Sequence, residues 1–263
     1  MDIIIREAER VLNYSLPEPL NESIVDGIFE GYRDYLDVRR KMFRELKVSG
    51  AYAWVKGNHI DHYVALACEQ HGVKSKLAKA GLTWQYLKFT HENEKILFIV
   101  KNARYFDPKQ VDKGKDARGR TRQQTNSYMY NLMQINNRID FDNIPDKRYE
   151  KYLQLELLED FQINLFKNED NKGINTQFDR FYIVTYQIDQ NHYIEEVRVW
   201  MPNPIDNNAY LISDLQDYIG SKRIHRIEIE DDLKSILTQS HIPEGTIDHT
   251  SFGIVLDAKE KKK

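Results

Sequence analysis

Apolar residues along the chain switch between a helical spacing and a two-residue spacing. From Ser23 to about Lys47, the residues Ile24, Ile28, Tyr35, Val38, Met42 and Leu46 recur on one face of a helix. The other faces carry charge, so the pattern predicts an amphipathic helix. Ser23-Ile24-Val25-Asp26 has the form of a capping box, with Asp26 in the usual place of Glu. Gly27 and Gly31 lie one turn apart inside this helix. Glycine weakens a helix, so the pair predicts close approach by another element. A shorter helix is expected from Ile3 to Tyr14, ended by Pro17 and Pro19. Another is expected from Asn58 to His71, with Gly72 as its stop.

Extended segments follow. Val73 to Lys79 is a weak strand. Leu82 to Thr90 alternates, with Trp84, Tyr86 and Lys88 on one face and Gln85, Leu87 and Phe89 on the other. His91-Glu92-Asn93-Glu94 is a polar turn. Lys95 to Tyr105 is the strongest strand; Ile96-Leu97-Phe98-Ile99-Val100 is apolar on both faces, which predicts a central position in a sheet. Phe106 to Gln124 has no apolar period and reads as a long loop; loops of this length are usually functional or disordered. A helix resumes near Asn126, with Tyr128, Leu132, Ile135 and Ile139 as its buried stripe. Arg148 to Phe166 fits either helix or strand. Asn168 to Asn175 is the best internal boundary in what is otherwise expected to be a single domain over residues 1–263.

Beyond that boundary, Phe181 to Ile188 and Ile194 to Met201 predict an antiparallel hairpin turning at Asp189-Gln190-Asn191-His192. Val197, Val199 and Met201 should face inward, with Arg198 and Trp200 outward or at the rim. Pro202 and Pro204 stop the strand. Leu211 to Ile219 is expected to be a helix closed by Gly220, Asp231 to Gln239 another, and Phe252 to Leu256 a late strand. The expected fold class is α+β: a mainly antiparallel sheet with an N-terminal helical region packed on it.

The blocks ILFIVKNARYF (Ile96 to Phe106), FYIVTYQI (Phe181 to Ile188), VRVWMPNP (Val197 to Pro204) and SFGIVL (Ser251 to Leu256) resemble an uncharacterised, domain-of-unknown-function family of Gram-positive bacteria and their prophages. The resemblance covers roughly the last two thirds of the chain by this domain reading. It implies a setting, a mobile-element or host–phage conflict gene, and assigns no residue a role.

Composition narrows the classes. The chain has 263 residues, 30% charged and 41% hydrophobic, with sixteen Tyr and eleven Phe, too many aromatics for a disordered polymer. Its formal charge of −3 predicts no partner in bulk, so attraction for nucleic acid must come from a local patch. Cys68 is the only cysteine, which excludes an intramolecular disulfide. The N-terminus becomes charged at once, unlike a signal peptide, and no apolar run approaches the ~20 residues that span a bilayer. A cytoplasmic location and no membrane partner are expected.

Three constellations bear on chemistry. His59, His62, Cys68 and His71 are zinc-ligand types at plausible spacings. On one helix, however, the first pair and the second face nearly opposite ways, so no metal site is expected. Gly114 to Thr121 reads G-x-x-x-x-G-R-T, a phosphate-loop pattern with Arg120 where lysine is required; arginine is not equivalent there. Acid-x-Lys units suited to Mg²⁺ occur at Glu45/Lys47, Asp107/Lys109, Asp170/Lys172, Asp232/Lys234 and Asp257/Lys259. None lies within an apolar strand, and Asp107/Lys109 is the best placed. No catalytic residue and no cofactor is assigned, and the sequence leaves open whether the chain is an enzyme.

The remaining feature is a basic loop. Lys101, Arg104, Lys109, Lys113, Lys115, Arg118, Arg120 and Arg122 stand against Asp107, Asp112 and Asp116, and aromatics flank them at Tyr105, Phe106, Tyr128 and Tyr130. Cations interleaved with aromatics suit a phosphate-tracking, base-stacking surface. The expected function is a non-enzymatic binding or regulatory protein that engages DNA or RNA through this loop, with Tyr130 as the aromatic contact. The alternatives are a divergent Mg²⁺-dependent nuclease and a protein-binding inhibitor or effector. A protein with an acidic surface could also receive the loop. So could the net-acidic Asp140 to Asp170 stretch, within the chain or in a second copy of it as a homo-oligomer.

Overall fold

The computed structural model describes residues 14–80, 84–116, 118–123, 125–144, 177–222, 229 and 231–239. The expected helix up to Tyr14 lies almost wholly outside them. So do the Arg148 to Phe166 segment, the Asn168 to Asn175 boundary and the Phe252 to Leu256 strand.

The first long helix, α1 (Glu18–Glu45), starts earlier than the capping-box reading placed it. Pro17 occupies the N-cap position and Pro19 the first turn, where a missing amide hydrogen costs nothing. The prolines therefore open this helix, and Tyr14, the last helical residue before them, lies where the earlier helix was expected to end. Ser23 is buried inside it. Ile24, Ile28 and Tyr35 are buried as the period predicts, but Leu46 is exposed.

A single helical turn, Gly50–Ala53, leads to α2 (Lys56–Glu69). The two long helices meet at the expected glycines. A Cβ on Gly27 would stand 2.5 Å from the Cα of Val64, and one on Gly31 would stand 2.6 Å from the Cα of Ile60. Only glycine lets the two backbones approach that closely.

A sheet of six strands runs in the order β1-β2-β3-β4-β5-β6. The strands are β1 (Val73–Ala80), β2 (Trp84–His91), β3 (Ile96–Asn102), β4 (Arg180–Ile188), β5 (Ile194–Pro202) and β6 (Ala209–Asp214). All neighbouring pairs are antiparallel except the central β3 and β4, which run parallel. The predicted hairpin is β4–β5, with Asp189 Oδ1 accepting hydrogen bonds from the amides of Asn191 and Tyr193 at its turn. Leu211 and Ile212 lie in β6, not in a helix. Helix α4 (Gln216–Lys222) begins after them and contains Gly220.

The central strands of the sheet are buried on both faces. Phe89, Phe98, Tyr182, Val184, Val197, Val199 and Met201 pack with α1, α2 and α5 (Asp231–Gln239) on one side. Leu97, Ile99, Phe181, Ile183 and Trp200 pack on the other with Phe106, Val111 and helix α3 (Ser127–Met133). That second layer is why Trp200 is buried, with its indole N–H donating to Thr185 Oγ1 at 2.8 Å, instead of lying at the rim. The α+β class and the mainly antiparallel sheet are as the sequence predicts. No described helix is long and apolar enough to cross a membrane.

Candidate nucleic-acid interface

The basic stretch between β3 and α3 is a built loop. Asp107 and Asp112 turn inward, and Asp116 ties the exposed tip together. Asp107 is buried, accepting from the Thr121 hydroxyl at 2.6 Å and the Lys109 amide at 3.0 Å. Asp112 is buried under the start of α3, where its carbonyl accepts from the Asn126 amide at 2.6 Å; burial raises its carboxyl pKa. Asp116 accepts from the amides of Arg118 and Arg120 and from Arg120 Nε. Hydrogen bonding from the Arg120 amide, ahead of its guanidinium charge, lowers the Asp116 pKa.

The glycines of the G-x-x-x-x-G-R-T run have a local explanation. Gly114 has φ +65°, and a Cβ there would press on the Tyr105 carbonyl at 2.8 Å. That carbonyl accepts from the Lys115 amide. Gly119, at φ +76°, turns the chain so that Lys115 and Thr121 form an antiparallel bridge. These are turn requirements, met without a strand running straight into the loop. The loop is also docked: the Val111 amide donates to the Asn207 carbonyl and the Ala209 amide to the Pro108 carbonyl.

The eight candidate cations divide by what they do. Lys101 donates to the Tyr128 hydroxyl at 2.9 Å and lies over its ring. Arg120 pairs with Asp116, and Arg122 Nε donates to the Lys115 carbonyl. Arg104 lies over the Tyr105 ring. Lys113 sits beside Asp112, which feels its charge. Lys109, Lys115 and Arg118 form no ion pair among the described residues. Tyr130 is exposed on the outer side of α3.

Part of the loop also lines a cleft of about 790 Å³. Arg104, Tyr105, Lys115 and Gly119 form one wall. Tyr32 and Tyr35 of α1 with Lys56 of α2 form another, Lys56 Nζ standing 5.7 Å over the Tyr35 ring. The floor is made where β3 and β4 end side by side, at Asn102, Gln187 and Ile188, and the hairpin turn closes one side. Tyr32 anchors that turn by donating to the His192 carbonyl at 2.8 Å.

A further pairing of basic and aromatic residues, with Lys88 buried, was not legible in the sequence. On the sheet face that carries the loop, Lys76 of β1 stands directly opposite Lys88 of β2, and Ala78 opposite Tyr86. Tyr86 packs on Tyr128 at 5.1 Å, linking the ribbon to Lys101. Burial, and then neighbouring Tyr128, raises the Tyr86 pKa, so its ring stays neutral. Only the strand register brings these residues together. Lys56 likewise carries no local signal.

The zinc-type residues have separate occupations. His59 Nδ1 lies 2.6 Å from Asp34 Oδ2, His62 is edge-on to Tyr63, and Cys68 is in the core, where burial pushes its thiol up to about 12. Among the described residues no group of three or more potential ligands is placed to hold a metal. Comparison of the chain with family models, curated proteins and solved structures finds no match.

Proposed function

We propose that this protein binds nucleic acid through the outward side of the loop between β3 and α3, as a non-enzymatic binding or regulatory protein of the cytoplasm. The resemblance of its strand blocks makes a mobile-element or phage–host system the setting. One observation carries this reading: the three loop carboxylates are engaged within the loop itself, while Lys109, Lys115 and Arg118 form no ion pair among the described residues. A braced loop holding unneutralised cations is a preorganised polyanion surface, since ordering it on binding costs little. Tyr130 on the adjoining helix offers an aromatic face for a base. The nuclease reading gains nothing from Asp107, whose oxygens are already engaged by Thr121 and Lys109.

The test is an anisotropy titration with single- and double-stranded DNA and with RNA, at low and high salt. Binding should weaken steeply as salt rises, because phosphate neutralisation releases counterions. Lys109→Glu with Arg118→Glu should remove most of it. No binding to any of these at low salt would sink the reading and leave an acidic protein surface as the partner the loop serves.

A further inference from the structure

We propose that the outer edge of β1 is a docking site for an extended acidic peptide, which joins the sheet as one more strand. The proposal concerns a different part of the chain from the basic loop and does not rest on it.

β1 is an end strand of the sheet. Its register with β2 runs unbroken from Val73 opposite His91 to Ala80 opposite Trp84. It contains neither a bulge nor a proline, the devices that commonly spoil an edge for pairing. Strand geometry says which groups it offers. The Leu87 amide points away from β1, to Asp61 Oδ2. Leu77 and Leu87 are therefore an opposed pair that exchanges no hydrogen bonds, so the Leu77 N–H and C=O point outward as well. By the two-residue period, those of Ser75 and Lys79 do the same. Among the described residues these outward groups have no hydrogen-bond partner. Lys74, Ser75, Lys76, Leu77 and Lys79 are all exposed. The opposite end strand, β6, is met at its start by the basic loop, where the Ala209 amide donates to the Pro108 carbonyl.

The side chains select the occupant. β1 carries Lys74, Lys76 and Lys79 and no acid. Lys74 pairs with Glu92, while Lys76 and Lys79 form no ion pair among the described residues. A second copy of β1 laid alongside would set these lysines against its own, which repels. The same charges attract a strand that carries carboxylates. Leu77 is 58% exposed and shares a face with Val73, which packs with α2. A nucleic acid strand answers the lysines, but it brings no row of donors for the outward carbonyls and no apolar side chain for Leu77. An extended peptide answers all three. Its backbone pairs along the edge, an apolar residue covers Leu77, and a carboxylate on the other face meets Lys76.

The experiment is an anisotropy titration of the full chain with a labelled peptide of alternating glutamate and valine, about as long as β1. A lysine–valine peptide of the same length and a single-stranded DNA are titrated alongside. The glutamate–valine peptide should saturate one site, and the lysine–valine peptide should not. Leu77→Pro removes the central outward amide at a place where an edge strand tolerates proline, and it should weaken binding about tenfold. Lys76→Glu with Lys79→Glu should reverse the preference between the two peptides. That gain keeps the test decisive if Leu77→Pro misfolds.

Absence of saturable binding by the glutamate–valine peptide, equal binding of both peptides, or a preference that the lysine exchange leaves unchanged would overturn the proposal. So would indifference to Leu77→Pro in a folded variant. A dimer of the full chain that Leu77→Pro dissolves would overturn it in favour of a second copy. DNA binding that the lysine exchange abolishes, without peptide binding, would overturn it in favour of phosphate contacts.

Discussion

Asp61 of α2 accepts a hydrogen bond from the Leu87 amide of β2 at 3.1 Å, at a point where β2 has already parted from β3. β2 pairs with β3 only from Phe89 to His91, while its pairing with β1 runs on to Trp84. Past Phe89 an inner edge of the ribbon would be left without partners, and the helix carboxyl supplies one. Burial, opposed in part by the Leu87 amide, raises the Asp61 pKa from 3.8 to about 7.

That shift sets a pH dependence. The folded state holds the Asp61 proton more tightly than the unfolded chain, so its contribution to stability is full below about pH 4 and is lost as pH rises through about 7. Asp61→Asn keeps an oxygen acceptor for Leu87 and removes the buried charge. Between about pH 5 and about pH 8 the melting temperature of the wild type should fall, and that of the variant should change less and be the higher at the alkaline end. Parallel melting curves for the two proteins would show that Asp61 does not titrate in this window.

Gly31→Ala and Gly27→Ala should each destabilise the protein by about 1–3 kcal/mol, although alanine favours helix formation, because the new Cβ meets backbone that cannot move aside. Chemical denaturation reads this directly. A gain in stability at either position would mean that α1 and α2 are not this close.

Asn136 joins three backbone groups in the core. It accepts from the Phe181 amide at 2.7 Å and donates to the Phe181 and Pro202 carbonyls at 3.0 and 2.9 Å. Asn136→Ala leaves all three unsatisfied away from water, so it should cost about 2–4 kcal/mol, seen as a lowered denaturation midpoint. Asn136→Asp should do no better, since a carboxylate cannot donate to the two carbonyls.

The loop should open when its brace is removed. Asp107→Ala takes away the acceptor of the Thr121 hydroxyl and the Lys109 amide. Trypsin should then cut between Lys109 and Arg122 several times faster, while Arg118→Glu, which removes no bond made by a side chain, should leave the other sites at wild-type rates. Equal resistance of Asp107→Ala and wild type would show that the loop is held by other contacts.

Local signals determined a large share of this fold. The apolar run Ile96 to Val100 announced a central strand because both faces of such a strand are covered, and β3 lies between β2 and β4. The polar tetrapeptide after Ile188 announced the hairpin, since few other uses exist for a short polar break between two β-rich runs. Gly27 and Gly31 announced a close helix contact because a helix tolerates them at a cost. Asp231 to Gln239 is helical over the expected residues.

What tertiary structure decided involves partners far apart in sequence. Leu211 and Ile212 have a spacing that suits helix or strand, and pairing with β5 made them a strand. Trp200 looked like a rim residue until a second layer covered its face. The eight basic residues were legible as a group, but their roles were not: composition cannot tell Arg120, whose guanidinium pairs with Asp116, from Arg118, which gives Asp116 only its amide. Nor could it place Lys56 and Lys115 on the walls of one cleft, or Lys76 opposite Lys88, because those placements follow from helix packing and strand register. Sequence specifies such contacts only through the whole fold, since the energy that fixes them is shared among many residues and written locally in none.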